Sequence, residues 1–180
     1  MSTFDTIISR KSVRSYTGEQ ISEEELQKIL LAANAAPIAM GTYDSVHMTV
    51  ITDQELLGKI DAAGAKMMGN PDIKPLYGAP TFILVSAKVD ADTPQSAANV
   101  AFSNAAIMVQ NMALEAVELG LGTCHIWGAV RAIDADADLL AELDLPEGFS
   151  PCCGVIVGKT EEAYEPREVP ADRIATDVIA

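Results

Sequence analysis

The chain has 180 residues and a net charge of -14, with 49% hydrophobic and 21% charged residues. This balance excludes a disordered chain and predicts a single folded domain over residues 1–180. The negative charge argues against nucleic acid as a partner, because an acidic surface repels its phosphates. A small anionic ligand would therefore need a local basic pocket.

A short first helix, capped by Ser2 or Thr3, leads into Arg10-Lys11-Ser12-Val13-Arg14, here called the basic segment. Residues 10–14 hold three of the chain's twelve Lys and Arg residues. Guanidinium groups bond anionic oxygens in pairs, so two arginines beside a hydroxyl suit a phosphate. Taken alone, the basic segment fits either a phosphate site or a solvated basic turn.

The helices that follow the basic segment have clear N-terminal capping signals. A capping box at residues 22–25 begins a second helix that Pro37 ends, and a strand is predicted over residues 46–52. Asp53 caps a third helix, whose apolar positions up to Met67 are predicted to face inward. The breakers in residues 69–78 predict a mobile loop.

The second half predicts a buried centre. Residues 81–85 are apolar on both faces, which is typical of a central strand. Residues 96–119 form a long helix with a sparse polar face, so we expect a second subunit to cover part of it. The remaining predicted elements are a strand over 123–127, a helix from 134 to 143, a strand over 152–157 and a tail over 159–180. Strands interleaved with helices predict an α+β fold with helices on both faces of a sheet.

Cysteine and histidine usage excludes several kinds of site. Cys124, Cys152 and Cys153 lack metal-like or redox spacing, so we expect reduced thiols in a cytoplasmic protein. The two histidines lack the spacing of a metal site or a hydrolytic triad, and we expect no metal. No apolar run is long enough for a membrane span and no targeting segment is visible, so no membrane partner is expected.

Several motifs together resemble the nitroreductase family of FMN-dependent oxidoreductases over essentially the whole chain. They are RKSVR at 10–14, AP at 36–37, GAP at 78–80, LGLGTCHIWG at 119–128, GVIVG at 154–158 and PR at 166–167. The resemblance implies a three-layer α/β/α sandwich with a central mixed sheet. It also implies an intertwined homodimer with FMN at the subunit interface and a C-terminal tail, residues 159–180, that extends over the partner.

The resemblance also implies residue roles. Arg10 and Ser12 would contact the FMN phosphate and ribityl chain, Arg167 would reach the same phosphate, and Arg14 would contact the pyrimidine edge of the flavin. The other cofactor-binding positions it implies are Pro37, Ile38, Ala39, Met40 and Gly41 from the partner subunit, and Ile126, Trp127 and Gly128 beside the ring. The flavin performs the redox step, so no side chain is expected to be catalytic.

Three positions depart from the family's pattern. The loop after Pro37 lacks the side-chain amides common there, and Trp127 stands where some relatives carry Glu. Residues 165–167 read Glu-Pro-Arg instead of Lys-x-Arg, which leaves Lys11 or Lys159 to replace the lysine.

The leading functional hypothesis is an NAD(P)H-dependent enzyme that reduces a nitroaromatic, quinone or similar small molecule by alternating half-reactions at flavin N5. One alternative is an FMN-binding carrier or sensor without turnover. Another is an acidic dimeric module whose basic segment binds a different phosphate. The residues leave open the acceptor and the choice between NADH and NADPH.

Overall fold

The structure, a computed structural model, describes residues 2–179. Met1 and Ala180, at the ends of the predicted domain and tail, lie outside the described residues. The helices are α1 (Thr3–Ser9), α2 (Glu23–Asn34), α3 (Gln54–Met67), α4 (Gln95–Glu118), α5 (Gly128–Asp134) and α6 (Ala137–Glu142). The strands are β1 (Val46–Ile51), β2 (Thr81–Lys88), β3 (Gly122–Ile126) and β4 (Phe149–Gly158).

The four strands form one sheet in the order β1-β2-β4-β3. β2 runs antiparallel to β1, and β4 runs antiparallel to both β2 and β3. Every pair of neighbouring described strands is therefore antiparallel, and the predicted mixed sheet is wrong. The last strand, β4, lies between β2 and β3 and runs opposite to both. The α+β class is confirmed.

Helices cover both faces of the sheet, as expected. Successive residues of β2 point to opposite faces. Ile83 and Val85 pack in a core with residues of α2 and α4, whereas Phe82 and Leu84 pack in a second core with residues of α3 and α5. A strand apolar at every position is thus buried on both sides, which confirms the prediction for residues 81–85.

Local start signals predicted the helices well, and two details were wrong. The Ser22 capping box and the Asp53 cap begin α2 and α3 as expected. Met67 was predicted to face inward but is 44% exposed, because it lies at the last turn of α3. The helix predicted from Asp134 to Leu143 begins later, because Asp134 is the last residue of α5 and Asp136 is the residue that caps α6.

Helix α4 packs against α2 and the sheet. It is the one described helix with the length and composition to cross a bilayer, yet half of its most apolar window is buried within the chain. That degree of burial is typical of a core helix. Val100, Phe102 and Ile107 remain exposed on its outer side, so the helix is not buried all round within one chain.

Candidate functional site

The basic segment is held extended between β3 and the start of the tail. The Val13 amide donates to the Thr123 carbonyl at 2.8 Å, and the Thr17 amide donates to the Lys159 carbonyl at 3.0 Å. Val13 is fully buried. Because neighbouring side chains of an extended chain point to opposite sides, Ser12 and Arg14 lie on the side away from this core.

Arg14 borders a cleft with a volume of about 790 Å³. This volume lies in the range of small-molecule and cofactor sites, which is roughly 300–1,000 Å³. The lining residues are Arg14, Met68, Asp72, Ile73, Lys74, Pro75, Tyr77, Gly78, Cys124, His125, Ile126, Trp127 and Gly128. The structure therefore brings together Arg14 and the predicted residues 126–128.

The walls of the cleft differ in chemistry. Trp127 is 54% exposed, and its ring centroid lies 6.0 Å from that of Phe102, which forms an apolar wall. In another part of the lining, the guanidinium carbon of Arg14 lies 5.7 Å from the Tyr77 ring centroid. Tyr77 raises the pKa of Arg14, so the cation persists at every relevant pH. A lining with both apolar and cationic groups suits a ligand that has an apolar ring and a polar edge.

The tail arginine meets the basic segment at the end of α1. The guanidinium of Arg167 donates to the carbonyl oxygen of Arg10, and its backbone amide donates to the Ile8 carbonyl at 3.4 Å. Arg10 and Arg167, which are distant in sequence, are thus in contact through the backbone of Arg10. Two arginines that meet in this way suit an anionic ligand.

Both lysines that the sequence offered as further phosphate ligands are paired with carboxylates. Lys11 lies 2.8 Å from Glu162, and Lys159 lies 2.6 Å from Glu25. The hydrogen bond from Lys159 is the largest cause that lowers the pKa of Glu25 to about 2. These pairs attach the tail to the body of the domain and leave the arginines as the better anion ligands.

The cleft also contains a histidine and a cysteine. The side chain of His125 is exposed at the cleft, yet the surrounding protein partly removes water from its ring. This desolvation lowers the pKa of His125, and the charge of Arg10 lowers it further. Its ring is therefore neutral at neutral pH and can donate one hydrogen bond. Cys124 is a buried free thiol, and Cys152 and Cys153 are also free, as predicted.

The loop from Pro37 to Gly41 lies outside this cleft in its own chain. The Ala39 amide donates to Asn104 Oδ1 at 3.2 Å, which fixes the loop to α4. Ile38 is buried, whereas Met40 is 95% exposed. One chain alone does not bring this part of the predicted site to Arg14.

Sequence reasoning missed the residues that segment 68–78 contributes to the cleft, notably Met68, Lys74 and Tyr77. Residues 69–78 were expected to form a mobile loop, and residues 68–78 contain no regular helix or strand. This segment is nonetheless anchored, because the Leu76 amide donates to Asp61 at 2.8 Å and the Leu76 side chain is only 1% exposed. The glycine and proline residues of the segment predicted a loop, but they did not indicate that the loop packs against the cleft.

Comparison with known proteins gives three consistent results. A family model described as "Nitroreductase family" matches residues 7–159. The protein named FMN reductase (NAD(P)H) from Bacillus subtilis (strain 168) is 29% identical over 187 residues. That alignment covers 94% of this chain, and the chain spans only 66% of the length of that relative.

Solved structures show the same fold. A nitroreductase with bound FMN from Bacteroides fragilis NCTC 9343 has a TM-score of 0.80 and 26% identity, covering 99% of this chain and 100% of that chain. A nitroreductase with bound FMN from Desulfitobacterium hafniense DCB-2 has a TM-score of 0.82 at 24% identity, covering 98% of each chain.

Proposed function

The chain belongs to the nitroreductase family, and from this premise we propose that it is an FMN-dependent oxidoreductase that uses NAD(P)H to reduce a small organic acceptor. Relatives named for FMN reductase activity and FMN-bound structures of the same fold support the proposal. The observation that favours it most is the position of Arg14 in a cleft that Ile126, Trp127 and Gly128 line from another element.

The residues present fit FMN. The arginines offer charge-assisted donors for a phosphate, and the cleft beside them has room for a planar ring. We assign the phosphate and ribityl chain to Arg10, Ser12 and Arg167, because Arg167 bonds the Arg10 backbone at the end of α1 and Ser12 belongs to the same basic segment. Lys11 is a weaker ligand than the arginines, because Glu162 already neutralises its charge.

Arg14 and residues 126–128 would act on the ring. When bound, the flavin accepts a hydride from the nicotinamide and passes electrons to the acceptor. The fixed charge of Arg14 stabilises negative charge that develops at the pyrimidine edge on reduction. The backbone and Trp127 orient the ring and limit water around it.

We further propose that two copies assemble and complete each other's sites. The loop from Pro37 to Gly41 lies away from its own cleft with Met40 exposed, so it is available to a partner's cleft. Apolar side chains on α1, α2 and α4 are exposed and would be covered. They include Phe4, Ile7, Leu31, Val100 and Ile107. The tail, residues 159–180, would lie over the partner, since Ile174, Val178 and Ile179 are exposed.

Anaerobic mixing with NADH or NADPH tests the proposed activity. The enzyme should bleach its flavin absorption rapidly and recover it when a quinone or a nitroaromatic is added. Stable yellow colour that neither nucleotide bleaches would instead establish the carrier or sensor without turnover.

Three free thiols suit the reducing cytoplasm, where we place the protein.

A further inference from the structure

Arg14 contacts an aromatic side chain instead of pairing with a carboxylate. Its guanidinium carbon is 5.7 Å from the centroid of Tyr77, within the distance of about 6 Å for a cation–π contact. Among the described residues, no ion pair includes Arg14. A hydrogen bond with the Tyr77 side chain is the largest cause that raises the pKa of Arg14, so the hydroxyl contacts the guanidinium as well as the ring. The guanidinium has several N–H donors, and the others remain for a ligand.

The Tyr77 ring is not part of the hydrophobic core. It is 41% exposed and lines the cleft, whereas the neighbouring Leu76 is the core residue of this segment. A packing role alone therefore does not explain a tyrosine at this position.

The backbone under Tyr77 is fixed and strained. Its φ of 52° lies in the left-handed region, which is unfavourable for a bulky residue. The Tyr77 amide donates to the Lys74 carbonyl at 2.9 Å, and Asp61 on α3 accepts from the adjacent Leu76 amide at 2.8 Å. The rest of the segment thus imposes an unfavourable conformation that directs the ring toward Arg14.

We propose that Tyr77 is the positioning residue of Arg14, and that its ring fixes the guanidinium at the cleft wall before a ligand arrives. The identity of that ligand as FMN rests on the proposed function. A free arginine side chain must lose rotamer entropy to hold one geometry. A preorganised cation avoids part of that cost when it binds and is already aligned when charge develops.

Two substitutions separate the effect of the Tyr77 ring from the effect of its backbone conformation. Tyr77→Phe keeps an aromatic face, whereas Tyr77→Asn removes it and still tolerates a positive φ. A cation–π contact at an exposed site contributes about 0.5–1 kcal/mol, which corresponds to a change of about two- to fivefold in a dissociation constant. Tyr77→Asn should therefore weaken FMN binding by this factor and lower the flavin midpoint potential. Tyr77→Phe should stay near the wild-type values. Equal losses in both variants would overturn the role of the ring face.

A double mutant tests whether Tyr77 acts through Arg14. In an Arg14→Gln background, Tyr77→Asn should change neither FMN affinity nor midpoint potential further. If it changes them there as much as in the wild type, Tyr77 acts independently and the proposal is wrong.

A third measurement needs no flavin. In the full-length protein without added FMN, NMR of labelled arginine should show Arg14 side-chain protons shifted by the Tyr77 ring current, and Tyr77→Asn should abolish the shift. Unshifted protons in the wild type would overturn the proposal. Shifted protons in a protein that binds no FMN would support the positioning and refute the proposed function.

Discussion

Removing the charge of Arg10 should weaken FMN binding without unfolding the protein. Arg10 is half-buried at the end of α1, and its carbonyl accepts a hydrogen bond from the Arg167 guanidinium. Among the described residues, Arg10 forms no ion pair, whereas Lys11 is paired with Glu162 at 2.8 Å. Its charge is therefore available to a phosphate.

The expected size follows from one charge-assisted hydrogen bond, which contributes about 1.5–3 kcal/mol. At about 1.4 kcal/mol per tenfold, Arg10→Ala should raise the FMN dissociation constant roughly ten- to a hundredfold. Lys11→Gln should raise it much less. Lys28→Gln is the charge-matched control, because Lys28 pairs with Glu24 at 2.7 Å on the exposed side of α2.

Titration of each variant with FMN, followed by flavin fluorescence, gives the dissociation constants, and urea denaturation gives stability. Val13→Ala separates the two effects. Val13 is fully buried, so this change should lower the free energy of unfolding by roughly 1–3 kcal/mol and leave FMN affinity nearly unchanged. Equal losses of affinity in Arg10→Ala and Val13→Ala would show that folding, and not a phosphate contact, underlies the result.

Three other predictions address the ring, the tail and the assembly. Arg14→Gln should lower the flavin midpoint potential in a potentiometric titration at saturating FMN, and an unchanged or raised potential would remove Arg14 from the pyrimidine edge. The pKa of Glu25 is lowered from 4.5 to about 2, so its pair with Lys159 stabilises the fold above about pH 4.5 and this stabilisation is lost as the pH falls toward 2. Allowing for partial exposure, Glu25→Gln should cost roughly 1–2 kcal/mol at pH 7 in urea denaturation and flatten that pH dependence, while exposed Glu24→Gln should do neither. Light scattering should give a particle of about twice 19.0 kDa, and a monomer with full flavin content would contradict the shared site.

The sequence predicted elements whose signals are local. The Ser22 and Asp53 caps satisfy the first amides of their own helices, so they mark α2 and α3 without knowledge of the rest of the fold. Helix α5 was missed because Gly128 was interpreted as the end of a strand, although Val130 and Ile133 show helical spacing. Its glycine is the first residue of the helix.

The order of the strands and the walls of the cleft depend on contacts between distant residues. Nothing near β4 indicates that it inserts between β2 and β3. The contact of Arg14 with Tyr77 and that of Arg167 with Arg10 likewise join segments far apart in the chain. The resemblance to a family supplied roles for the arginines, but it supplied no role for Tyr77.

Titration of the protein with FMN, followed by the emission of its single tryptophan, tests the central claim most directly. Trp127 lines the same cleft as Arg14, so a flavin bound there lies close to the only indole in the chain. The account predicts saturable binding of one FMN per chain, with the Trp127 emission quenched in proportion to occupancy. The absence of FMN binding, or saturable binding that leaves Trp127 emission unchanged, would contradict it.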